Sequence, residues 1–175
     1  MTKVSITPAV QQFLQRRHGS FIAGRAVHDE SGAAIEVINP ATGEALAAFT
    51  GASAAQVEEA VVSARAAFED SWAQTSPYQR GVLLNRLADL IEQHGEELAQ
   101  LESLCSGKAI NLARGLEVAQ SAVFLRYFAG WATKINGETM TPSLPSMAGE
   151  QYMAFTRREA IGCLLYTSDA ADDAL

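Results

Sequence analysis

Between Val118 and Trp131 the sequence reads as a helix that is apolar on nearly every side, broken only by Gln120, Ser121, Arg126 and Gly130. Such a helix has no solvent-facing stripe and should be surrounded by protein. The chain has 175 residues, the length of one domain with a real core. Its other helical patterns do not suffice to cover this one. The expectation is that more chain or another subunit packs on it, so that the polypeptide is an incomplete piece of something larger.

The surrounding pattern mixes strands and helices. Residues 7 to 17 predict a short amphipathic helix with Val10, Phe13 and Leu14 on one side. Ser20 to Ala23, the turn Gly24-Arg25, and Ala26-Val27 read as a tight hairpin. Ile35 to Ile38 and Glu44 to Thr50 read as strands around the turn residues Asn39-Pro40-Ala41-Thr42-Gly43.

From Ser53 the hydrophobic period changes from two to 3.6. Ser53 with Gln56 makes a capping-box pattern, and Val57, Ala60, Val61, Ala64 and Phe68 follow on one face. Ser76, Pro77 and Gln79 form a sharper start signal. Leu84, Leu87, Ile91, Leu98, Leu101 and Cys105 then predict the buried stripe of one long helix, which Gly107 stops. The third helix is expected from about Lys108 to Lys134. Glu138 to Thr141 and Gln151 to Glu159 predict a long β-hairpin, which is barely stable alone in water and needs something to dock on.

After Gly162 the character changes. Leu164 to Leu175 is an acidic, alanine-rich tail where a buried strand is expected to begin, and it resembles translated sequencing-adapter read-through rather than native protein.

Composition narrows the function classes. Hydrophobic residues make up 48% and charged residues 19%, which is globular, and the net charge of −7 argues against nucleic acid or an anionic membrane as partner. No signal-peptide pattern or membrane-length apolar run is visible, so a cytoplasmic protein is expected. Cys105 and Cys163 are too few and too far apart for a staple or a zinc site.

Chemistry-bearing motifs are scarce. There is no Gly-x-Gly-x-x-Gly, phosphate-loop, His-Glu-x-x-His or Cys-x-x-Cys pattern. Ser106-Gly107-Lys108 follows a helix rather than a strand and reads as a helix stop. His94 reads as a solvated mid-helix position, while His18 and His28 fall in turns. Glu58-Glu59 and Glu96-Glu97 diverge around their helices and suit a wet face better than a carboxylate pair. Cys105 ends a helix instead of starting one, so no helix amino-terminus activates it.

The order of the motifs is more telling than any one of them. Phe21-Ile22-Ala23-Gly24, then Val37 to Glu44 (Val-Ile-Asn-Pro-Ala-Thr-Gly-Glu), resembles the opening of the aldehyde dehydrogenase superfamily. Ala60 to Phe68 with Trp72, Arg80 to Glu92, Leu101 to Leu104 with Gly107-Lys108, Leu125 to Ala132 and Thr156 to Gly162 are similar, in order, to its later motifs. Within the superfamily, Val10 to Leu14 with His18-Gly19, together with Leu87 to Glu102, looks most like bacterial phenylacetaldehyde dehydrogenases. Betaine-aldehyde-like and broad-range members are the alternatives, and a free-standing helical interaction module is the rival of a different class.

The resemblance implies an α/β fold: the incomplete amino-terminal part of the aldehyde dehydrogenase fold, with short strands, three long helices and a long β-hairpin. It implies residues 1–136 in the cofactor-binding domain, 137–160 as a β-hairpin of the oligomerisation domain through which a homo-oligomer forms, and 163–175 as a non-native tail, Cys163 included. It implies oxidation of a small aldehyde to the acid, by hydride transfer from a thiohemiacetal to NAD or NADP. The family's nucleophilic cysteine, glutamate base, oxyanion-stabilising asparagine and cofactor motif all lie beyond Gly162, so the chain as given is expected to be inactive. Leu116, Gln120 and Phe124 align with positions near the aldehyde tunnel, although each suits core packing equally. The backbone carbonyls of Val37 and Ile38 align with a monovalent-cation site of some members, in which an aspartate ligand stands where this chain has Cys105.

Overall fold

The computed structural model describes residues 6–28, 32–145 and 149–160. The expected tail, with Ile161, Gly162 and Cys163, lies outside the described residues. The chain divides into one compact unit that runs to Thr133 and a second that starts at Lys134.

The first unit opens with helix α1 (Pro8–Leu14), capped by the Thr7 hydroxyl and started by Pro8. Val10 is buried, at 1% exposure, whereas Phe13 stays 42% exposed, so only part of the expected apolar side is covered. Strands β1 (Ser20–Ile22) and β2 (Arg25–Val27) pair antiparallel, with Ala23 and Gly24 both at positive φ in the turn. Strands β3 (Ala34–Ile38) and β4 (Ala45–Thr50) form a second antiparallel pair. Their register passes from Val37 opposite Ala47 to Ile38 opposite Ala45, leaving Leu46 as the extra residue of a bulge.

Both sequence-level capping boxes are formed. Ser53 caps α2 (Ala54–Glu69) with Gln56 reaching back, and Ser76 caps α4 (Pro77–Gln93) with Gln79 reaching back. Each such cap contributes about 1 kcal/mol to its helix. A single turn, α3 (Ser71–Gln74), lies between them. The long second helix expected from the leucine stripe is in fact two, α4 and α5 (Gly95–Ser106). His94 leaves helical geometry at φ −101°, ψ 19°, and its Nδ1 pairs with Glu97 at 3.0 Å. The break falls beside Gly95, which costs a helix interior about 1 kcal/mol relative to alanine. Gly107 stops α5 in the left-handed region, as its position predicts.

The third helical run starts at Ile110 rather than Lys108. It comprises α6 (Ile110–Leu112), a π-helical segment (Ala113–Val118) and α7 (Ala119–Trp131). Its main partner is α4. The buried positions on the two helices are Gly81, Ala88, Ala122 and Ala129, all small. A methyl at Gly81 would come within 3.0 Å of the Ala129 carbonyl oxygen, so the two backbones approach closely because nothing larger separates them. Arg126 ties the pair from outside, donating to both Glu92 oxygens at 2.6 Å and to Asp89 Oδ1 at 2.8 Å.

This corrects the expected core. Leu87 and Leu98 of the leucine stripe are exposed, Leu84, Ile91 and Leu101 are half-buried, and Cys105 is exposed. On α2, Val57 and Val61 also remain exposed. The helices meet along their smallest residues, so the larger ones point elsewhere. No helix among the described residues is long and apolar enough to cross a membrane.

In the second unit, β5 (Thr139–Met140) pairs antiparallel with β6 (Ala154–Phe155). Thr156 closes the hairpin: its N–H donates to the Glu138 carbonyl and its hydroxyl accepts from the Glu138 N–H, each at 2.8 Å. Only two residues on each side are ladder-paired, far fewer than the strands expected over 138–141 and 151–159. Met140, Tyr152, Met153 and Phe155 are all exposed, so no apolar face is buried to extend the pairing.

Candidate functional site

The α4–α7 contact uses the small side of α7 and leaves the large side outward. Leu116, Gln120 and Phe124, separated in sequence by four residues each, all stand exposed, Leu116 at 53% and Phe124 at 59%. Val123, Tyr127, Phe128 and Trp131 are exposed alongside them. The rings interact with one another: Tyr127 meets Phe128 edge to face at 5.2 Å between centroids, and Trp131 at 6.4 Å. The three expected tunnel positions therefore belong to an aromatic, apolar surface in which Gln120 supplies an amide. The sequence singled out those three and missed the aromatics; their spacing along one helix, already visible in the chain, was the signal that linked them.

Two of the first unit's grooves lie elsewhere. One of 410 Å³ lies among Val10, Phe13, Leu90, Leu98 and Leu101. The other, of 980 Å³, lies among Leu14, Asn39, Leu46, Leu104 and Lys108. Leu116, Gln120 and Phe124 line neither of these grooves and are all exposed.

The chemistry available on that face is recognition. The residues named on it include no thiol, imidazole or carboxylate that could act as nucleophile or base. Its apolar rings can bury the organic part of a small substrate, and the Gln120 amide can donate or accept a hydrogen bond.

At the expected cation position, the Val37 and Ile38 carbonyls sit at the β3–β4 bulge, with Val37 half-buried. Cys105 is exposed, but partial burial of its thiol, followed by the nearby Glu102 carboxylate, pushes its pKa up. A neutral thiol is a weak oxygen-site substitute for a hard alkali ion. No cluster of three or more metal-binding side chains occurs among the described residues.

The described residues likewise do not fit a dinucleotide. Among the described residues every strand ladder is a two-stranded antiparallel pair, with one isolated parallel bridge between His18 and Phe49. Cradling a dinucleotide in the usual way needs the crevice at the carboxyl ends of parallel strands linked by helices. No step of a reaction is therefore assigned to a cofactor through these residues.

Charge pairs tie α5 to the π-helical segment. Arg114 donates to Glu96 through Nε at 2.7 Å and through Nη2 at 2.9 Å. Together with the Gln100 amide, this holds the Glu96 carboxyl well below its ordinary range, at about 2. Lys108 bridges Glu102 at 3.0 Å and Glu117 at 3.1 Å, bonds that raise its pKa. Sequence reasoning missed these partners. Glu96 and Arg114 are 18 positions apart on separate helices, and no local periodicity marks them as a pair.

The comparisons with known proteins agree on one family. The model of the aldehyde dehydrogenase family matches residues 26–167. A phenylacetaldehyde dehydrogenase of Pseudomonas fluorescens is 40% identical over 163 residues, covering 93% of this chain and 32% of that enzyme. A cytosolic 10-formyltetrahydrofolate dehydrogenase of Xenopus laevis is 41% identical over 146 residues, covering 83% of this chain and 16% of that enzyme. The NAD+ complex of an aldehyde dehydrogenase from Bacillus cereus superposes with a TM-score of 0.77 at 40% identity, over 81% of this chain and 29% of that one. The chain thus spans less than a third of each of these relatives. With its motifs, fold and family match in accord, this chain belongs to the aldehyde dehydrogenase family.

Proposed function

We propose that the chain is the amino-terminal segment of an enzyme that oxidises an aldehyde, phenylacetaldehyde by preference, to the carboxylic acid with NAD or NADP as hydride acceptor. The observation that carries this reading is the outward face of the π segment and α7, where Leu116 adds apolar surface and Phe124, Tyr127, Phe128 and Trp131 offer aromatic surface to an aryl side chain. Stacked or edge-to-face contact with such rings favours an aromatic guest over a short aliphatic one. The similarity to a phenylacetaldehyde dehydrogenase supports the same substrate.

In this reading the segment supplies one wall of the aldehyde path, and the nucleophile, the base and the cofactor crevice belong to the chain carboxy-terminal to it. The 137–160 hairpin, with its uncovered apolar residues, serves assembly into a homo-oligomer. By itself the 175-residue chain has no dehydrogenase activity.

A chimera tests this directly. Residues 6–160 replace the aligned segment of the Pseudomonas fluorescens enzyme, and NADH formation is followed with phenylacetaldehyde, betaine aldehyde and acetaldehyde. The expected outcome is turnover with phenylacetaldehyde preferred, and no turnover by the chain alone. A folded chimera that oxidises none of the three, or that prefers betaine aldehyde, overturns the reading.

A further inference from the structure

The run from Ile110 to Trp131 is not uniformly wound, because Ala113–Val118 is π-helical. A π segment carries an extra residue in a wider turn, is rare, and is frequent at functional sites. It persists when its surroundings hold it, and three sets of contacts do so here. Ala113 is fully buried, and the segment packs on α5. Lys108 bridges Glu102 of α5 to Glu117 of the segment. Arg114 lays its guanidinium on both oxygens of Glu96, while Nη1 donates to Asn111 at 3.2 Å.

Glu96 is itself fixed. It accepts from Gln100 Nε2 at 2.8 Å, and Gln100 is only 2% exposed. Gln100 Oε1 accepts in turn from the Thr7 N–H at 2.8 Å. A continuous chain of bonds therefore runs from the start of α1, across α5, to Arg114.

Leu116 lies inside the π segment, whereas Gln120 and Phe124 lie beyond it in α7. Adding or removing one residue's worth of winding rotates the helix on one side of the segment against the helix on the other by about 100°. The winding of this segment therefore decides whether Leu116 shares a face with Gln120 and Phe124. We infer that Arg114 is a positioning residue, which through its paired bonds to Glu96 keeps the π segment wound and so sets the place of Leu116 in the aldehyde path. The last clause rests on the proposed reading of that face; the winding does not.

Amide hydrogen exchange on the 175-residue chain tests the winding. Arg114→Ala should speed exchange across residues 113–119 by about two- to fivefold, the size expected when a half-exposed ion pair that limits local opening is lost. Exchange at Ala122 to Ala129 should be unchanged. Gly115→Ala, whose added methyl meets nothing within 4 Å, should keep or raise wild-type protection. Exchanging the pair, Glu96→Arg with Arg114→Glu, should restore most of it. Unchanged exchange in Arg114→Ala, or no restoration by the exchange of charges, overturns the role. If Arg114→Ala unfolds the chain, Glu96→Gln decides by the same criterion.

The kinetic arm uses the chimera. Arg114→Ala should raise KM for phenylacetaldehyde with kcat retained, and Arg114→Lys should recover part of the loss. A fall in kcat at constant KM contradicts positioning of the path wall. A chimera inactive before any substitution overturns the functional reading instead, while the exchange data still decide the winding.

Discussion

The two long faces of α7 carry opposite kinds of residue. Towards α4 lie Ala122 and Ala129, buried against a helix that offers Gly81 and Ala88. Away from it stand Val123, Phe124, Tyr127, Phe128 and Trp131, all exposed. In a finished core the large residues would carry most of the buried area, since burial contributes about 25 cal/mol per Å². Here the small ones are buried, and the large ones wait for a partner. The contrast teaches that the inner face of α7 is a completed contact held by close backbone approach, and the outer face is a surface prepared for something else.

The sharpest way to break that comparison is to enlarge the small side. Ala122→Leu should destabilise the chain by about 1–3 kcal/mol, because the close helix pair has no room for the added carbons. Urea unfolding measures it, and a neutral result would mean that α4 and α7 are not closely packed. Gln100→Ala should follow, costing about 0.5–1.5 kcal/mol by leaving the half-buried Thr7 N–H without its acceptor. Protease sensitivity should rise first at α1, which Gln100 fastens.

A pH series sharpens the account of the charge pairs between α5 and the π segment. The Glu96 carboxyl titrates at about 2 in the folded chain against an ordinary 4.5. Its folded pKa is the lower one, so the stabilisation is present above pH 4.5 and is lost as the pH falls towards 2. Glu96→Gln should therefore lower Tm near neutrality, with the gap closing as the pH drops from 4.5 through about 2 and absent only below that. With the Glu96 side chain 47% exposed, solvent keeps the gap small. A gap that persists unchanged to the lowest pH would exclude the ion pair as its source.

The smallest effect is expected on the outer face. Phe124→Ser should change stability by no more than about 0.5 kcal/mol, because the ring is already in water. It should, however, reduce binding of a dye that reports exposed apolar surface. A large loss of stability would show that the face is covered after all.

How much of this was legible in the sequence depends on range. Ser53 with Gln56, Ser76 with Pro77 and Gln79, and the Gly107 stop announce themselves, because the capping partners sit within four residues. The motif order from Phe21 to Gly162 was enough to indicate the family. The leucine stripe misled for a physical reason: periodicity identifies an apolar face but not what covers it. Leu87 and Leu98 therefore looked buried, while the positions that do bury, Gly81, Ala88 and Ala99, carry little hydrophobic signal. The π winding at Ala113–Val118 and the Arg114–Glu96 and Arg126–Glu92 pairs were illegible, since their partners are remote in sequence and depend on the packing itself. Among the candidate site residues, Leu116, Gln120 and Phe124 were chosen by resemblance, and the structure sets them together on the outward side of one helix.

The central claim is that this outward face meets the organic part of an aromatic aldehyde. The most direct measurement is the ratio of kcat/KM for phenylacetaldehyde to that for acetaldehyde, in the chimera with and without Phe124→Ala. The account predicts that the substitution lowers the ratio by about tenfold or more, the scale of discrimination that apolar contacts supply. A ratio that does not change, in an enzyme that remains folded and active, would contradict it.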